Sequence, residues 1–385
     1  MYKIINKKKL VATAVADGIG HLLFGAYRLI RKNGKVRTDE IKNILIIRTA
    51  YIGDVVMTLP VLKPLKELYP GVKISFLTAT GAAEVLKNNP FVDEVIEHDP
   101  FWFYPSSIRA YREFIQQMHT RTFDLVIEAR ADIRDILLLA WRFRARYRLS
   151  YDVGGGGYLL TNVVPYPGLK HKVEYHLDLV RYLGYRGNGL EWGVYLSDKE
   201  QQRVSTIMAE QGIGQSFIAV HPGSRLPLKR WPVQRFGALC DGLMEQYGMP
   251  AVVFGAASEK ALVAEMASCM KRKPITLAGA LSLREMAGML ARADLFICND
   301  SAPMHLAAAM KTPTVAIFGP SKSVETRPYG EGHRVVEKEF PCRSACDENS
   351  CHYERYNACM EDLSVDDVFH AAEELLRSTE KHVQT

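Results

Sequence analysis

Three places along this chain set residues able to handle protons or oxyanions just past an apolar run. The first is Gly53-Asp54, which follows Ile44-Leu45-Ile46-Ile47 after a short Arg48-Thr49-Ala50 stop. A carboxylate past the carboxyl end of a buried strand lies where open α/β sheets take their ligands, and there it can serve as a general base. The glycine before it lets backbone and substrate approach closely. Asp54 equally suits a helix N-cap, and both readings stand at this point. The second place holds Arg130 and Arg134, in a stretch after Leu125–Ile127 that also carries Arg142, Arg144, Arg146 and Arg148. Guanidinium forks bind phosphate or carboxylate through paired hydrogen bonds, while a solvated helix face is the competing reading for most of the six. The third is Asp300-Ser301-Ala302, followed by Pro303. Proline in a first turn with Asp and Ser ahead of it marks a helix start, whose open amides and dipole attract an anion.

The elements that must position these residues alternate in type. Ile44–Ile47, Val72–Leu77, Val92–Ile96 and Leu125–Ile127 read as strands, with helices expected at Val61–Leu68, Ala82–Asn88 and Ile108–Arg121. A second series runs Phe217–Val220, Ala251–Phe254, Ile275–Leu277, Leu295–Cys298 and Thr314–Phe318, the last strand expected. Its helices are Val233–Tyr247, Lys260–Lys271, Ser282–Ala293, Pro303–Met310 and a closing helix at Asp366–Lys381. Such alternation predicts parallel sheets covered by helices, an α/β fold. Every polar cluster of the second series follows the carboxyl end of a strand. The region near 190–215 reads as a linker, and Gly154–Gly157 as a flexible loop, since it lacks the preceding strand that a dinucleotide fingerprint requires.

At 385 residues the chain is too long for one core and suggests two domains. Its charge is uneven. Residues 1–39 hold nine Lys or Arg against two Asp, a net +7, which leaves about −1 for the rest of a chain whose total is +6. That distribution argues against a nucleic-acid-binding core and for an electrostatic tether. Within this leader, residues 10–30 place apolar side chains at helical spacing, interrupted by Asp17, His21 and Arg28. The interruptions argue against a membrane span, and the basic ends suit a helix lying on an anionic membrane; packing against the body is the alternative. Seven cysteines, an odd number, and no stretch resembling a cleaved signal point to a reducing cytoplasm. Four of them, Cys342, Cys346, Cys351 and Cys359, are spaced C-x3-C-x4-C-x7-C, which leaves structural zinc, thiols or disulfides open.

Four motifs in order, ILIIRTAYIGDVVMTLP, HPGSRLPLKRWP, a G-x-x-x-E turn and NDSAPMHLAAA, resemble the bacterial lipopolysaccharide heptosyltransferases of glycosyltransferase family 9. The resemblance spans roughly residues 41–375. It implies a GT-B fold, two Rossmann-like domains with parallel sheets facing across a cleft, here with an amphipathic N-terminal extension. It implies transfer of a heptose from an ADP-activated donor to a lipopolysaccharide core acceptor, with inversion, without metal and without a cofactor. The expected layout is a basic leader over 1–40, an acceptor-binding domain over 41–195, a nucleotide-sugar-binding domain over 196–365, and a closing helix and tail over 366–385. The expected place of work is the cytoplasmic face of the inner membrane, with a nucleotide-sugar donor and a glycolipid as partners and no nucleic acid.

The resemblance makes Asp54 the base and Lys229 the cation that steadies the departing diphosphate, a task that suits a compact charge with three donors. Ser224 and Arg225 add donors beside Lys229. Glu259 matches an acid near the nucleotide ribose, Asp300 one that contacts sugar hydroxyls, and Ser301, Ala302 and His305 complete the donor set. Ala302 departs from the glycine common in the family, and its methyl group narrows the approach to phosphate. Arg130 and Arg134 are the acceptor candidates. No D-x-D pair occurs in the chain, which fits metal-independent transfer, and no Walker A sequence occurs. Transfer of another activated sugar to a different surface glycan, or a silent sugar-nucleotide-binding protein on the same fold, are the alternatives.

Overall fold

The computed structural model describes residues 7–31, 36–37, 40–346 and 348–383. Lys3, Lys32 and Lys35 of the basic leader lie outside the described residues. The chain divides into two compact units, Met1–Trp192 and Gly193–Thr385.

Unit 1 opens with helix α1 (Lys7–Arg31). A six-stranded sheet follows, built from β1 (Asn43–Ile47), β2 (Lys73–Thr78), β3 (Glu94–Glu97), β4 (Thr122–Glu128), β5 (Arg144–Ser150) and β6 (Asn162–Val163). The order is β3-β2-β1-β4-β5-β6, with parallel pairing throughout. Ile44 lies beside Ile74 on one side and Leu125 on the other, so the unbroken apolar runs are buried on both faces. Two further helices matter for the site: α2 (Ile52–Val56) directly after β1, and α3 (Lys172–Tyr182).

Unit 2 repeats the plan with β7 (Ile218–His221), β8 (Ala251–Val253), β9 (Ile275–Thr276), β10 (Leu295–Asn299), β11 (Thr314–Ile317) and β12 (His333–Val336), ordered β12-β11-β10-β7-β8-β9. Its core gathers Trp231 and, from α4 (Val233–Tyr247), Phe236 and Leu243 against Val253, Ile297 and Ile317 of the sheet. Helix α5 (Ala302–Ala309) follows β10, and α6 (Val365–Val383) closes the unit with Val368, Ala372 and Leu375 in the same core. In each sheet the strand order reverses beside the first strand, between β1 and β4 and between β7 and β10. Ligands of open α/β sheets bind at the carboxyl ends of the strands at such a point.

Three expectations need correcting. The arginine-rich stretch is not one helix face: β5 runs Arg144–Ser150 as a strand. Its Arg148 is buried and donates to the carbonyls of Ala140, Phe143 and Ala145, which is structural work. Thr314–Phe318 is not the last strand, because β12 adds a short edge. Half of the expected linker at 190–215 is helix Asp198–Glu210, opened by a capping box from Ser197 and Glu200.

Gly154–Gly157 is a seat for α1 and not a free loop. Asp17, buried, accepts a hydrogen bond from the Gly156 amide at 2.7 Å. A Cβ on Gly155, which sits at φ 84°, would meet Thr13 Cγ2 at 2.9 Å. Gly20 of α1 in turn lies against the Tyr158 ring, where any side chain would collide.

Candidate active site

In unit 1 the buried strand β1 delivers Arg48, and α2 delivers Asp54 one turn later. Arg48 is only 4 % exposed. Its Nη2 lies 2.8 Å from Asp54 Oδ1, while its Nε and Nη1 are buried with no hydrogen-bond partner. Lys172, at the start of α3, reaches the same Asp54 oxygen at 3.4 Å. Tyr51, which precedes α2, sits at φ 58°, a conformation costly for a non-glycine residue. Its amide donates to the Tyr104 hydroxyl at 3.2 Å. His176, fully buried, braces the turn: its ring nitrogens face the carbonyls of Met57 (2.9 Å) and Ala129 (3.0 Å). Burial, helped by the positive charge of Arg48, lowers its pKa to about 4 and keeps the ring neutral.

The loop after β4 supplies the facing wall. Glu128 accepts from the amides of Arg130 and Ala131 and from the Ser150 hydroxyl. Burial, with the nearby Asp135 charge, pushes its pKa up to about 8. Asp135 accepts from Thr49 Oγ1 and Trp102 Nε1, both at 2.9 Å, which ties this loop to the one carrying Arg48. Ala131 adopts φ 60°, a second strained position at the same site. Arg130 stacks 3.7 Å above the Phe103 ring and keeps a buried Nη1 without a partner. Its burial and the neighbouring Arg48 charge lower its pKa, against the opposing pull of Asp135, Asp132 and Asp54. Arg134 differs: its fork is taken by Asp132, through Nε at 2.9 Å and Nη2 at 2.6 Å. Of the two acceptor candidates, only Arg130 holds open donor capacity.

In unit 2 the loop after β7 and the turn after β10 converge. Lys229 Nζ lies 2.7 Å from Asp300 Oδ2 and 2.7 Å from Glu348 Oε2. Burial alone would lower the lysine's pKa, but the two carboxylates outweigh it and raise it. Burial would raise that of Asp300, which Lys229 nonetheless holds below the usual carboxylate range. Ser224 is buried, and its hydroxyl donates to the Asp300 carbonyl at 3.2 Å, so it is a strut under the site. Arg225 is exposed. Asn299 joins the two loops, donating to the Pro222 carbonyl and accepting from the Trp231 amide. Trp231 itself is wholly buried.

Glu259 accepts from the Ala256 amide at 2.8 Å and lies 3.1 Å from His221 Nε2, a hydrogen bond that lowers its pKa. The absence of a side chain at Gly223 makes room for it, since a Cβ there would stand 2.0 Å from Glu259 Oε1. Helix α5 begins at Ala302 with Pro303 next, and no side chain caps it: the Ser301 hydroxyl turns back to the Asn299 carbonyl. Pro303 has no N–H and the Met304 amide donates to the Ser301 carbonyl at 3.1 Å, which leaves the Ala302 amide at the start of α5 for a ligand. His305 is buried one turn in.

Comparison with known families decides what this pair of sites belongs to. Residues 111–357 match the glycosyltransferase family 9 (heptosyltransferase) model. The chain belongs to glycosyltransferase family 9. It is 27 % identical over 341 residues to lipopolysaccharide heptosyltransferase 3 of Escherichia coli K12, covering 85 % of this chain and 96 % of that protein. Its fold resembles the crystal structure of the glycosyl transferase family 9 protein from Veillonella parvula, with a TM-score of 0.77, 24 % identity, and coverage of 90 % of this chain and 99 % of that one. The E. coli ADP-heptose lps heptosyltransferase II structure follows, with a TM-score of 0.70, 22 % identity, and coverage of 88 % and 99 %. The two six-stranded parallel units are those of a GT-B fold, and this family 9 protein is a glycosyltransferase.

Sequence reasoning missed several residues that the fold brings into these two clusters. Arg48 carried a usable signal, a cation ending a wholly apolar strand. Glu128 likewise ends the strand Leu125–Ile127. Lys172 and His176 are one helical turn apart, but their partners lie far away in sequence, Asp54 118 residues from Lys172 and Met57 119 from His176, beyond any local pattern. Glu348 had no signal. The late cysteines Cys342, Cys346, Cys351 and Cys359 are free thiols, and among the described residues no three metal-ligating side chains are placed to hold an ion.

Proposed function

We propose that this glycosyltransferase moves a heptose from an ADP-activated donor to a lipopolysaccharide core acceptor, inverting the anomeric centre without a metal. What carries the reading is the placement of a carboxylate, Asp54, and a cation, Lys229, each at the strand-order reversal of its own sheet. The names of the relatives point to lipopolysaccharide as the acceptor and, for one solved structure, to ADP-heptose as the donor.

In this mechanism unit 1 takes the acceptor and unit 2 the donor. Asp54 removes the proton from the acceptor hydroxyl as its oxygen attacks the anomeric carbon from the face opposite the diphosphate. The carbon–oxygen bond to the diphosphate breaks, and its electron pair leaves with ADP. Lys229 and the Ala302 amide at the positive end of α5 steady the charge that develops there. Asp300 aligns Lys229 and accepts from sugar hydroxyls, and Glu259 accepts from the ribose. Arg130 meets an anionic group of the acceptor, for which its unpaired nitrogen is suited. Lys229, with the Ala302 amide, takes the part that a metal held by a D-x-D pair plays elsewhere, and no D-x-D occurs. The enzyme would work at the cytoplasmic face of the inner membrane, where a lipid-linked acceptor is made.

The test is transfer from ADP-heptose to a core acceptor. Asp54→Ala is expected to cut turnover by roughly 10²–10⁴-fold while donor binding, read as thermal stabilisation by ADP-heptose, is kept. Wild-type turnover in the variant removes Asp54 from the mechanism. No transfer by the wild type from ADP-heptose, with transfer from another nucleotide sugar, moves the enzyme to a different glycan.

A further inference from the structure

Helix α1 has two faces with different fates. Thr13, Asp17, Gly20 and Phe24 recur at spacings of four, three and four and meet unit 1. Asp17 takes the Gly156 amide, Gly20 backs onto Tyr158, and Phe24 stacks on Tyr158 and edges onto Trp141 at centroid distances of 5.7 and 5.6 Å. The other face carries Val11, Val15, Ile19, Leu22 and Leu23, which are 62 %, 57 %, 55 %, 85 % and 69 % exposed. With 3.6 residues per turn these five fall within an arc of roughly 120°, opposite the docked face. A helix that needed only to pack on its own body would carry polar residues there. Instead, no Lys, Arg, Asp or Glu occurs from Leu10 to Phe24 apart from Asp17, which faces inward.

We infer that this face of α1 lies in the headgroup–acyl boundary of an anionic bilayer. The charge argument selects a lipid surface as the occupant. Lys7, Lys8 and Lys9 precede the apolar stripe in the sequence and Arg28 and Arg31 follow it, so basic residues bracket it at both ends. Among the described residues no helix is long and apolar enough to cross a membrane, which leaves the helix lying flat.

The docking also fixes what faces the lipid. The glycine seat of α1 is itself built on the loop after β4: a Cβ on Gly154 would stand 1.7 Å from the Ala131 carbonyl oxygen, and Gly155 lies against Ile133 as well as Thr13. That loop carries Arg130 and Arg134. One layer of glycine backbone therefore separates the membrane helix from the acceptor wall. A lipid-linked sugar would reach that wall without leaving the bilayer. This last link rests on the proposed transfer reaction, whereas the lipid contact does not.

The experiment uses the full chain and vesicles of phosphatidylglycerol and phosphatidylethanolamine, with phosphatidylcholine vesicles as the neutral comparison. The wild type should co-sediment with the anionic vesicles, more weakly at high salt and weakly with the neutral ones. Val15→Asp/Leu22→Asp/Leu23→Asp should lower the partition constant at least tenfold with an unchanged melting temperature. In a separate variant, Leu22→Trp, brominated acyl chains should quench the new indole relative to the parent protein. Equal sedimentation of the triple variant, no sedimentation of the wild type, or no added quenching overturns the inference. So does a triple variant that instead shifts from dimer to monomer on gel filtration, since the occupant would then be a second copy. None of these measurements needs donor or acceptor, so their failure is distinct from failure of the transfer reading. If both hold, the triple variant should lose transfer to acceptor in vesicles and keep it on a soluble core oligosaccharide.

Discussion

The polar clusters of the two units contrast in charge. In unit 1 the Asp54 carboxylate pairs with two cations, Arg48 at 2.8 Å and Lys172 at 3.4 Å, and Arg130 feels Arg48 together with the carboxylates of Asp135, Asp132 and Asp54. Three buried guanidinium nitrogens, Arg48 Nε and Nη1 and Arg130 Nη1, are left without partners. In unit 2 one cation, Lys229, sits between two carboxylates, each at 2.7 Å. Buried polar groups left unpaired are costly, so the first arrangement keeps donors that a ligand would satisfy. The second already has its counter-charges, and an incoming diphosphate must compete for the lysine. One cluster waits for a ligand; the other must exchange an internal partner for it.

The largest effect in unit 2 should come from Lys229→Met. If the lysine steadies the leaving diphosphate, kcat/KM for transfer falls by roughly 10²–10³-fold, the loss typical of one preorganised charge-stabilising donor. The buried Asp300 carboxylate is stranded at the same time, and donor-induced thermal stabilisation should shrink. A variant with wild-type kcat/KM would leave the charge contrast without catalytic meaning in unit 2.

Arg48→Met tests the other cluster through stability as well as rate. Removing one member of a wholly buried ion pair costs about 3–5 kcal/mol. Asp54 keeps Lys172 and retains some exposure, so we expect about 2–3 kcal/mol in denaturant titration, with transfer reduced as the carboxylate loses its orientation. Arg48→Lys should recover part of both losses. A neutral or stabilising Arg48→Met would mean that the unpaired nitrogens cost more than the pair contributes.

The contrast also explains what could be read beforehand. Residues whose role follows from their place on one strand or helix were legible: Asp54, Lys229 and Asp300 each follow an apolar run that does form a buried strand. What completes the charge contrast was not, because it comes from folding distant segments together. Lys172 and His176 return to Asp54 from α3, and Glu348 comes from a cysteine-rich loop. Strand β5 was hidden for a related reason. Its RARYRLS sequence puts charge where a central strand would be apolar, and only in the fold does the Arg148 guanidinium find three backbone carbonyls. The Gly154–Gly157 run looked like slack chain, since nothing local shows that α1 lands on it. Asp17, which read as an interruption of an apolar helix, is the peg of that contact.

Acid should weaken the unit 1 cluster through His176. Its pKa is about 4 in the folded protein, against an ordinary value near 6.5. The unfolded chain therefore takes up a proton that the folded chain refuses. Stability from this group is fully present above pH ~6.5 and is lost as pH falls toward 4. Between pH 7.5 and 5.5 the loss from His176 is about 1 kcal/mol, and His176→Gln should flatten the slope of melting temperature with pH in that range. An unchanged slope would place the acid sensitivity elsewhere.

The smallest effects are the most discriminating, because the contrast predicts opposite signs for two single-charge deletions. Lys172→Met removes a partly exposed cation from a donor-rich site, so transfer should slow by a few-fold, seen as a higher acceptor KM. Glu348→Gln removes a competitor from Lys229. Glu348 is the weaker of the two carboxylates on that lysine, since its side chain is 34 % exposed against 8 % for Asp300. Exposed ion pairs contribute only about 0–1 kcal/mol, so the donor KM should fall by no more than a few-fold. Glu348 also sits at φ 66°, between Cys346 and Cys351, a costly conformation for a non-glycine residue. Asp300→Asn serves as the control: it removes the buried partner that aligns the lysine and should raise the donor KM. If Glu348→Gln raises the donor KM as well, both carboxylates hold the lysine in its working position. Unit 2 would then be preorganised in the same sense as unit 1.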